Sequence, residues 1–131
     1  MGCLACSSPI RDTFNSVVLT SSAGEKIYIN SLNWGMTDDN QMSIVTSNPK
    51  RLRDRADSVH TVDGLDPFFY SFENDTLKLF FDRRITYNVS ENFKSIMLKY
   101  VALNAREYAK ISRQAYENAG YCAVPKRKEK L

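Results

Sequence analysis

The stretch PFFYSFENDTLKLFF, residues 67–81, constrains this chain more than any other, because two dense apolar runs flank a dipeptide suited to a tight turn. Asn74-Asp75 fits the two-residue connection of a β-hairpin, whose central residues both need positive φ. Folding the chain about that turn sets Glu73 opposite Thr76, Phe72 opposite Leu77, Tyr70 opposite Leu79 and Phe68 opposite Phe81. Phe68, Tyr70, Phe72, Leu77, Leu79 and Phe81 then share one face, while Phe69 and Phe80 pair on the other beside Ser71 and Lys78. A hairpin apolar on both faces belongs at the centre of a sheet covered on each side. Aromatic residues packed this densely point to core rather than to an exposed stacking platform for bases or sugars.

Upstream, Val17, Val18 and Leu19 precede Ser21-Ser22-Ala23-Gly24, and Ile27 and Ile29 alternate with polar residues after it, which predicts a second hairpin over about 15–32. In NWGMTDDNQMSIVTS, Asp38-Asp39-Asn40 punctuates between Trp34 and the β-branched run Ile44-Val45-Thr46, a turn feeding a strand. Ile85 to Val89 is a further short strand candidate, and residues 94–102 are assigned as strand. Asn104 with Glu107 three residues on then forms a capping-box start for a helix running to about Asn118, with Gly120 as its stop. That helix is expected to set Ala105, Tyr108, Ala109, Ser112, Ala115 and Tyr116 on the face that packs on the sheet. The fold class is α+β, a mostly antiparallel β-sheet built of hairpins with one C-terminal helix packed on it.

A chain of 131 residues with 43% hydrophobic and 25% charged residues fits one globular domain. The expected organisation is a tether at 1–13, a single β-rich domain at 14–122 and a basic disordered tail at 123–131. Asn48 to Pro67 is the long irregular stretch, and it holds the only histidine, His60, read as an exposed loop residue. The formal net charge is +3, and two short clusters each match it alone: Lys50, Arg51, Arg53 and Arg55 around Asp54, and Lys126, Arg127, Lys128 and Lys130 around Glu129. The rest of the chain is therefore slightly acidic. Two short clusters are not the basic stripe with aligned aromatics of a nucleic-acid binder, so nucleic acid is not expected as a partner.

No run approaches the 18 or more apolar residues of a membrane span. The opening octet MGCLACSS bears instead on attachment by lipid. Cys3 and Cys6 form a C-x-x-C, but the remaining zinc-ligand candidates, His60 and Cys122, are far apart in sequence and unpaired, and no strand can precede residue 3 as a thioredoxin-like motif requires. No metal or cofactor is expected. Gly2-Cys3 and Ala5-Cys6 each resemble the end of a bacterial lipobox, a small residue and then the cysteine that becomes lipidated, and Ser7-Ser8 resembles the polar tether that follows. The position three before Cys6 is Cys3 rather than the usual Leu, and for Cys3 that position lies upstream of Met1. The alternative is cytosolic dual acylation, with myristate on Gly2 and palmitate on Cys3, although Cys6 stands where that motif wants Ser or Thr.

The octet, the Trp-Gly-x-x-Asp-Asp turn and the Phe-Glu-Asn-Asp-Thr-Leu hairpin together resemble small lipoproteins of Bacteroidetes-type bacteria. Residues 34–47 alone also resemble one blade strand of the TolB-type propellers, yet four or more blades of about 40 residues each exceed this chain. Asp57-Ser58-Val59 and Asp75-Thr76-Leu77 resemble the O-glycosylation signal of such bacteria, implying Ser58 and Thr76 as acceptors. The Asp38-Asp39-Asn40 cluster does not make an EF-hand loop, because positions six and twelve counted from Asp38 hold Ser43 and Pro49. No G-x-S-x-G, H-E-x-x-H, P-loop or G-x-G-x-x-G occurs, and no catalytic residue is assigned. The resemblance implies a cell-envelope protein held at the membrane through its N-terminal lipid, facing the periplasm or cell surface, with a small non-catalytic binding or accessory domain for a protein or carbohydrate ligand. The alternative is an acylated interaction module on the cytosolic side of a membrane.

Overall fold

In the computed structural model, which describes residues 13–34, 40–57, 60–63, 67–85 and 87–124, Asn74 and Asp75 take φ of 52° and 56°. Both are left-handed, the geometry of a type I′ turn that short polar side chains tolerate. The turn joins β5 (Phe68–Glu73) to β6 (Thr76–Asp82) with Glu73 opposite Thr76, Phe72 opposite Leu77 and Tyr70 opposite Leu79, the register the sequence predicts. Phe68 and Phe81 complete the row by stacking, their ring centroids 4.9 Å apart.

The other strands are β1 (Thr13–Thr20), β2 (Lys26–Trp34), β3 (Asn40–Thr46), β4 (Val62–Asp63), β7 (Met97–Leu103) and β8 (Cys122–Val124); the helix is α1 (Ala105–Tyr116). They make two four-stranded sheets, ordered β1-β2-β3-β4 (sheet A) and β7-β6-β5-β8 (sheet B). Among the described residues the fold is thus mostly antiparallel β with one helix. The β5–β6 hairpin is central, as its two apolar faces require.

The sheets stack face to face. Ile27, Ile29, Val45 and Val62 from sheet A meet Phe68, Tyr70, Leu77, Leu79, Phe81 and Val124 from sheet B in one buried cluster. On the far side of sheet B, Phe69, Phe80 and Leu103 bury against Ile111 of α1, and Tyr108 lies edge-on to Phe69 at 5.2 Å while its hydroxyl donates to the Pro67 carbonyl at 2.5 Å. The helix begins at the predicted capping box: Asn104 Oδ1 accepts from the Glu107 N–H at 2.8 Å and Glu107 Oε1 from the Asn104 N–H at 3.0 Å.

Within this mostly antiparallel fold the pair β6–β7 is parallel, because the crossover between them returns the chain to the end of the sheet where β6 began. Four expectations are corrected. Of the stretch expected as a strand, Ile85 to Val89, the described residues 85 and 87–89 lie inside that crossover and form no strand: Tyr87 is buried beside Phe81, and its hydroxyl accepts the Val45 N–H at 3.2 Å. The apolar alternation there is real, since Ile85 and Val89 also pack on the core, but side chains rather than a ladder hold the segment. Helix α1 ends at Tyr116, with Asn118 at φ 58°, two residues before Gly120. Its buried anchor is Ile111, with Tyr108, Ser112 and Ala115 beside it on the inward side, whereas Ala105, Ala109 and Tyr116 are exposed. Strand β8 also carries the chain two residues past the expected boundary at Cys122, and Val124 is buried opposite Phe68.

Leu79 has no exposed surface and sits where both sheets meet, so Leu79→Ala removes buried methyls and leaves a cavity. It should destabilise by about 2–5 kcal/mol in urea unfolding. Val18→Ala, on an exposed position of edge strand β1, should change stability by less than about 0.5 kcal/mol.

Candidate functional site

The outer face of sheet A is covered by the basic cluster. Leu32, Met42 and Ile44 point outward from β2 and β3 and would meet water but for residues 48–57, which fold back over them. Leu52 is the plug: it is fully buried among those three residues and adopts φ 68°. A left-handed leucine costs roughly 1–2 kcal/mol, and burying its side chain contributes about 1.5–3 kcal/mol, so the contact offsets the strain.

Polar bonds fix the rest of the loop. Asn30 is completely buried, and its amide donates to the Arg51 carbonyl at 2.9 Å and at longer range to those of Pro49 and Asn48, while its Oδ1 accepts from the Ser16 hydroxyl. Asp57 Oδ2 accepts from the Leu52 N–H at 2.8 Å and from Arg51 Nε at 3.0 Å. Asp54 accepts from the Ala56 N–H at 3.0 Å.

The remaining arginines lie on aromatic rings. The Arg53 guanidinium sits 5.0 Å from the Phe14 ring centre and that of Arg55 5.6 Å from Trp34. Such contacts orient a guanidinium over the ring face. Lys50, Arg53 and Arg55 are all exposed. Comparison with protein-family models, curated proteins and solved structures finds no match.

A second polar cluster lies around the β1–β2 turn and the crossover into β7. Ser21 shapes the β1–β2 turn by accepting from the Ala23 and Glu25 N–H groups, and Gly24 supplies the φ of 88° that turn needs. Glu25 then accepts from the backbone N–H groups of Lys94 and Ser95 and from the Ser95 hydroxyl, fastening sheet A to the crossover that leads into β7. Asp75 accepts from the Ser22 N–H at 2.8 Å and its hydroxyl at 2.5 Å, and Glu91 accepts from the Ser47 N–H and hydroxyl.

These bonds hold the carboxyls of Glu25 and Asp75 below their ordinary values of 4.5 and 3.8, Glu25 chiefly through Ser95 and Asp75 through Ser22. Burial pushes Glu91 up, but hydrogen bonds from Ser47 and Thr46 bring it below 4.5. Asp82, bonded by the Arg84 side chain, falls to about 2. Burial pushes the Tyr70 and Tyr87 phenols up, Tyr70 with Cys122 as neighbour.

Of the residues singled out in the sequence, Cys3, Cys6 and Ser58 lie outside the described residues, as do 1–12 and 125–131. Thr76 opens β6 half-buried, its hydroxyl donating to the Asn74 carbonyl at 3.3 Å. His60 is exposed at φ 60° in the approach to β4, and Cys122 is an exposed free thiol in β8. Among the described residues no cluster of three His, Cys, Asp or Glu side chains is placed to hold a metal. Sequence reasoning found the basic cluster but missed Phe14, Asn30 and Trp34 as its supports. The one available signal was Leu52, an apolar residue isolated among charges.

Two measurements check this construction. Asn30→Ala leaves buried loop carbonyls unpaired and should cost about 1–3 kcal/mol, with amide exchange accelerated selectively at residues 48–57. The depressed carboxylates contribute stability that is fully present above their unfolded values and is lost as pH falls through the folded ones. The thermal midpoint should therefore hold from neutral pH to about pH 5 and fall progressively from about pH 4 downward. Glu25→Gln with Asp75→Asn should flatten that decline.

Proposed function

We propose that this chain is a non-catalytic binding or accessory module of a bacterial cell envelope, held at the membrane by acylation of Cys6 or Cys3. The supporting observation is where the folded domain meets the segment bearing those cysteines. The described chain enters sheet A at Thr13, on an edge strand, and the next residue, Phe14, is already clamped beneath Arg53. The attachment is therefore rigid from its first residues, and the segment before it can act as a tether. Seven residues from Cys6 to Thr13 reach at most about 25 Å, so an anchored domain stays close to its bilayer. The domain then presents its loops to a protein or carbohydrate ligand facing the periplasm or cell surface, with Ser58 and Thr76 as the proposed glycosylation positions.

Intact mass of the protein extracted from membranes of its native host should show a diacyl or triacyl adduct on Cys3 or Cys6, with everything before that residue removed. Cys3→Ser with Cys6→Ser should move the protein to the soluble fraction. A soluble native chain beginning at Met1 with no acyl mass would sink the proposal, and myristate on Gly2 with palmitate on Cys3 would replace it with cytosolic acylation.

A further inference from the structure

Helix α1 covers only half of the outer face of sheet B. Beneath it Phe69, Phe80 and Leu103 bury against Ile111 with Val101 beside them. The two rows nearer the β5–β6 turn, one of Ser71, Lys78 and Lys99 and one of Glu73, Thr76 and Met97, hold only half-buried and exposed side chains. This face ends at β7, whose far side pairs with no strand among the described residues. We infer that the open edge of β7 receives an extended acidic segment of a partner protein, which joins sheet B as a fifth strand and sets a carboxylate opposite Lys99. The inference goes beyond the anchoring proposed above and does not depend on it.

Length and exposure single out this edge. Of the other edge strands, β4 and β8 have two and three residues, and β1 has eight but no charged side chain with which to select a partner. Strand β7 has seven. Successive side chains of a strand alternate between faces, so Met97, Lys99 and Val101 lie on the helix side with Lys78 and Phe80. Leu98, Tyr100 and Ala102 lie on the side of sheet A, where Leu98 packs on the core. Met97 is 59% and Tyr100 44% exposed, so apolar surface stands uncovered on both faces of the same edge. An added strand supplies main-chain hydrogen bonds to the edge and covers both side chains.

Charge decides what the added strand carries. Lys78 and Lys99 are direct partners on adjacent strands, so two cationic side chains leave one face from backbones about 4.8 Å apart. Like charges directly opposite each other weaken a sheet. Among the described residues neither lysine has an ion-pair partner, and Glu73, the carboxylate in the neighbouring row, lies two strands in from the edge. A lysine on an edge strand also guards against self-association. Lys99 does so here, because two β7 edges brought together antiparallel would crowd both copies of Lys99 and Lys78 on one face, which disfavours a second copy of this chain. Guarding does not account for Lys78, one strand in from the edge. An acidic residue opposite Lys99 completes the row of Ser71, Lys78 and Lys99 and relieves the repulsion, and apolar residues two positions to either side of it lie beside Met97 and Val101.

The test uses the full 131-residue chain carrying Cys3→Ser and Cys6→Ser, isotopically labelled for amide NMR. The probe is an end-blocked peptide, Ser-Thr-Val-Thr-Glu-Thr-Val-Thr-Ser, whose central Glu and flanking Val side chains share one face when it is extended. Titration to millimolar peptide should shift amides of β7 and of its neighbour β6 alone. Binding should weaken about 2- to 5-fold when the peptide's Glu becomes Gln, and should vanish when it becomes Lys or when Pro replaces the Thr on both sides of it and removes ladder donors. Lys99→Glu should exchange the preference, taking the Lys peptide in place of the Glu peptide, with an undiminished thermal midpoint showing that the fold is intact. Absence of shifts with every peptide would leave Lys99 a guard and overturn the inference. Shifts centred on β1, indifference to the central residue, equal shifts with free glutamate, or β7 amides that move on dilution as a self-associating chain's do would overturn it too. No acyl group enters this assay, so its failure and that of the anchoring proposal are read separately.

Discussion

Everything in this fold hangs on the turn at Asn74-Asp75. Its two left-handed residues fix which side chains of β5 and β6 face each other, and a slip of one position would move Tyr70, Leu77 and Leu79 out of the core and push Ser71 and Lys78 into it. Because the pair is apolar on both faces, it must be covered twice. Sheet A covers one face and α1 the other, so the layered order follows from the composition of a single hairpin.

Both long connections are held by side chains and not by ladders. Residues 48–57 are fastened to sheet A by Asn30, Leu52 and Asp57, and residues 83–96 by Glu25, Glu91, Tyr87 and Tyr100, whose hydroxyl accepts the Val89 N–H. A backbone that leaves the ladder still needs partners for its polar groups, and here serine, asparagine and carboxylate side chains supply them. The arrangement gives the molecule irregular segments with defined geometry on its surface.

Elements with a strong local signal were legible before the fold was known. Two hairpins, the strand ending at Thr46 and the capping box at Asn104 each announce themselves within a few residues. What stayed hidden was set by distant partners. Ile85, Tyr87 and Val89 alternate as a strand would, but the segment meets the Val45 N–H through a phenol. A helix of small and aromatic residues offers more than one plausible face, and Ile111 becomes its anchor only because Phe69, Phe80 and Leu103 stand opposite. Cys122–Val124 is too short to carry a pattern of its own. For the candidate surface, the charges were visible and their supports were not, since Phe14 and Trp34 reach the loop only after β1 and β2 have paired and the loop has turned back.

Strand β8 has a consequence for synthesis. Phe68 to Tyr70 form one side of the most apolar segment in the chain, and their ladder partner on that side is Cys122–Val124, made after β6, β7 and α1. While the chain is being made, the hairpin, the crossover and the helix can all assemble with this edge of β5 still open. An unpaired apolar strand edge is a template for joining other chains, so the nascent domain keeps one such edge open until three late residues close it.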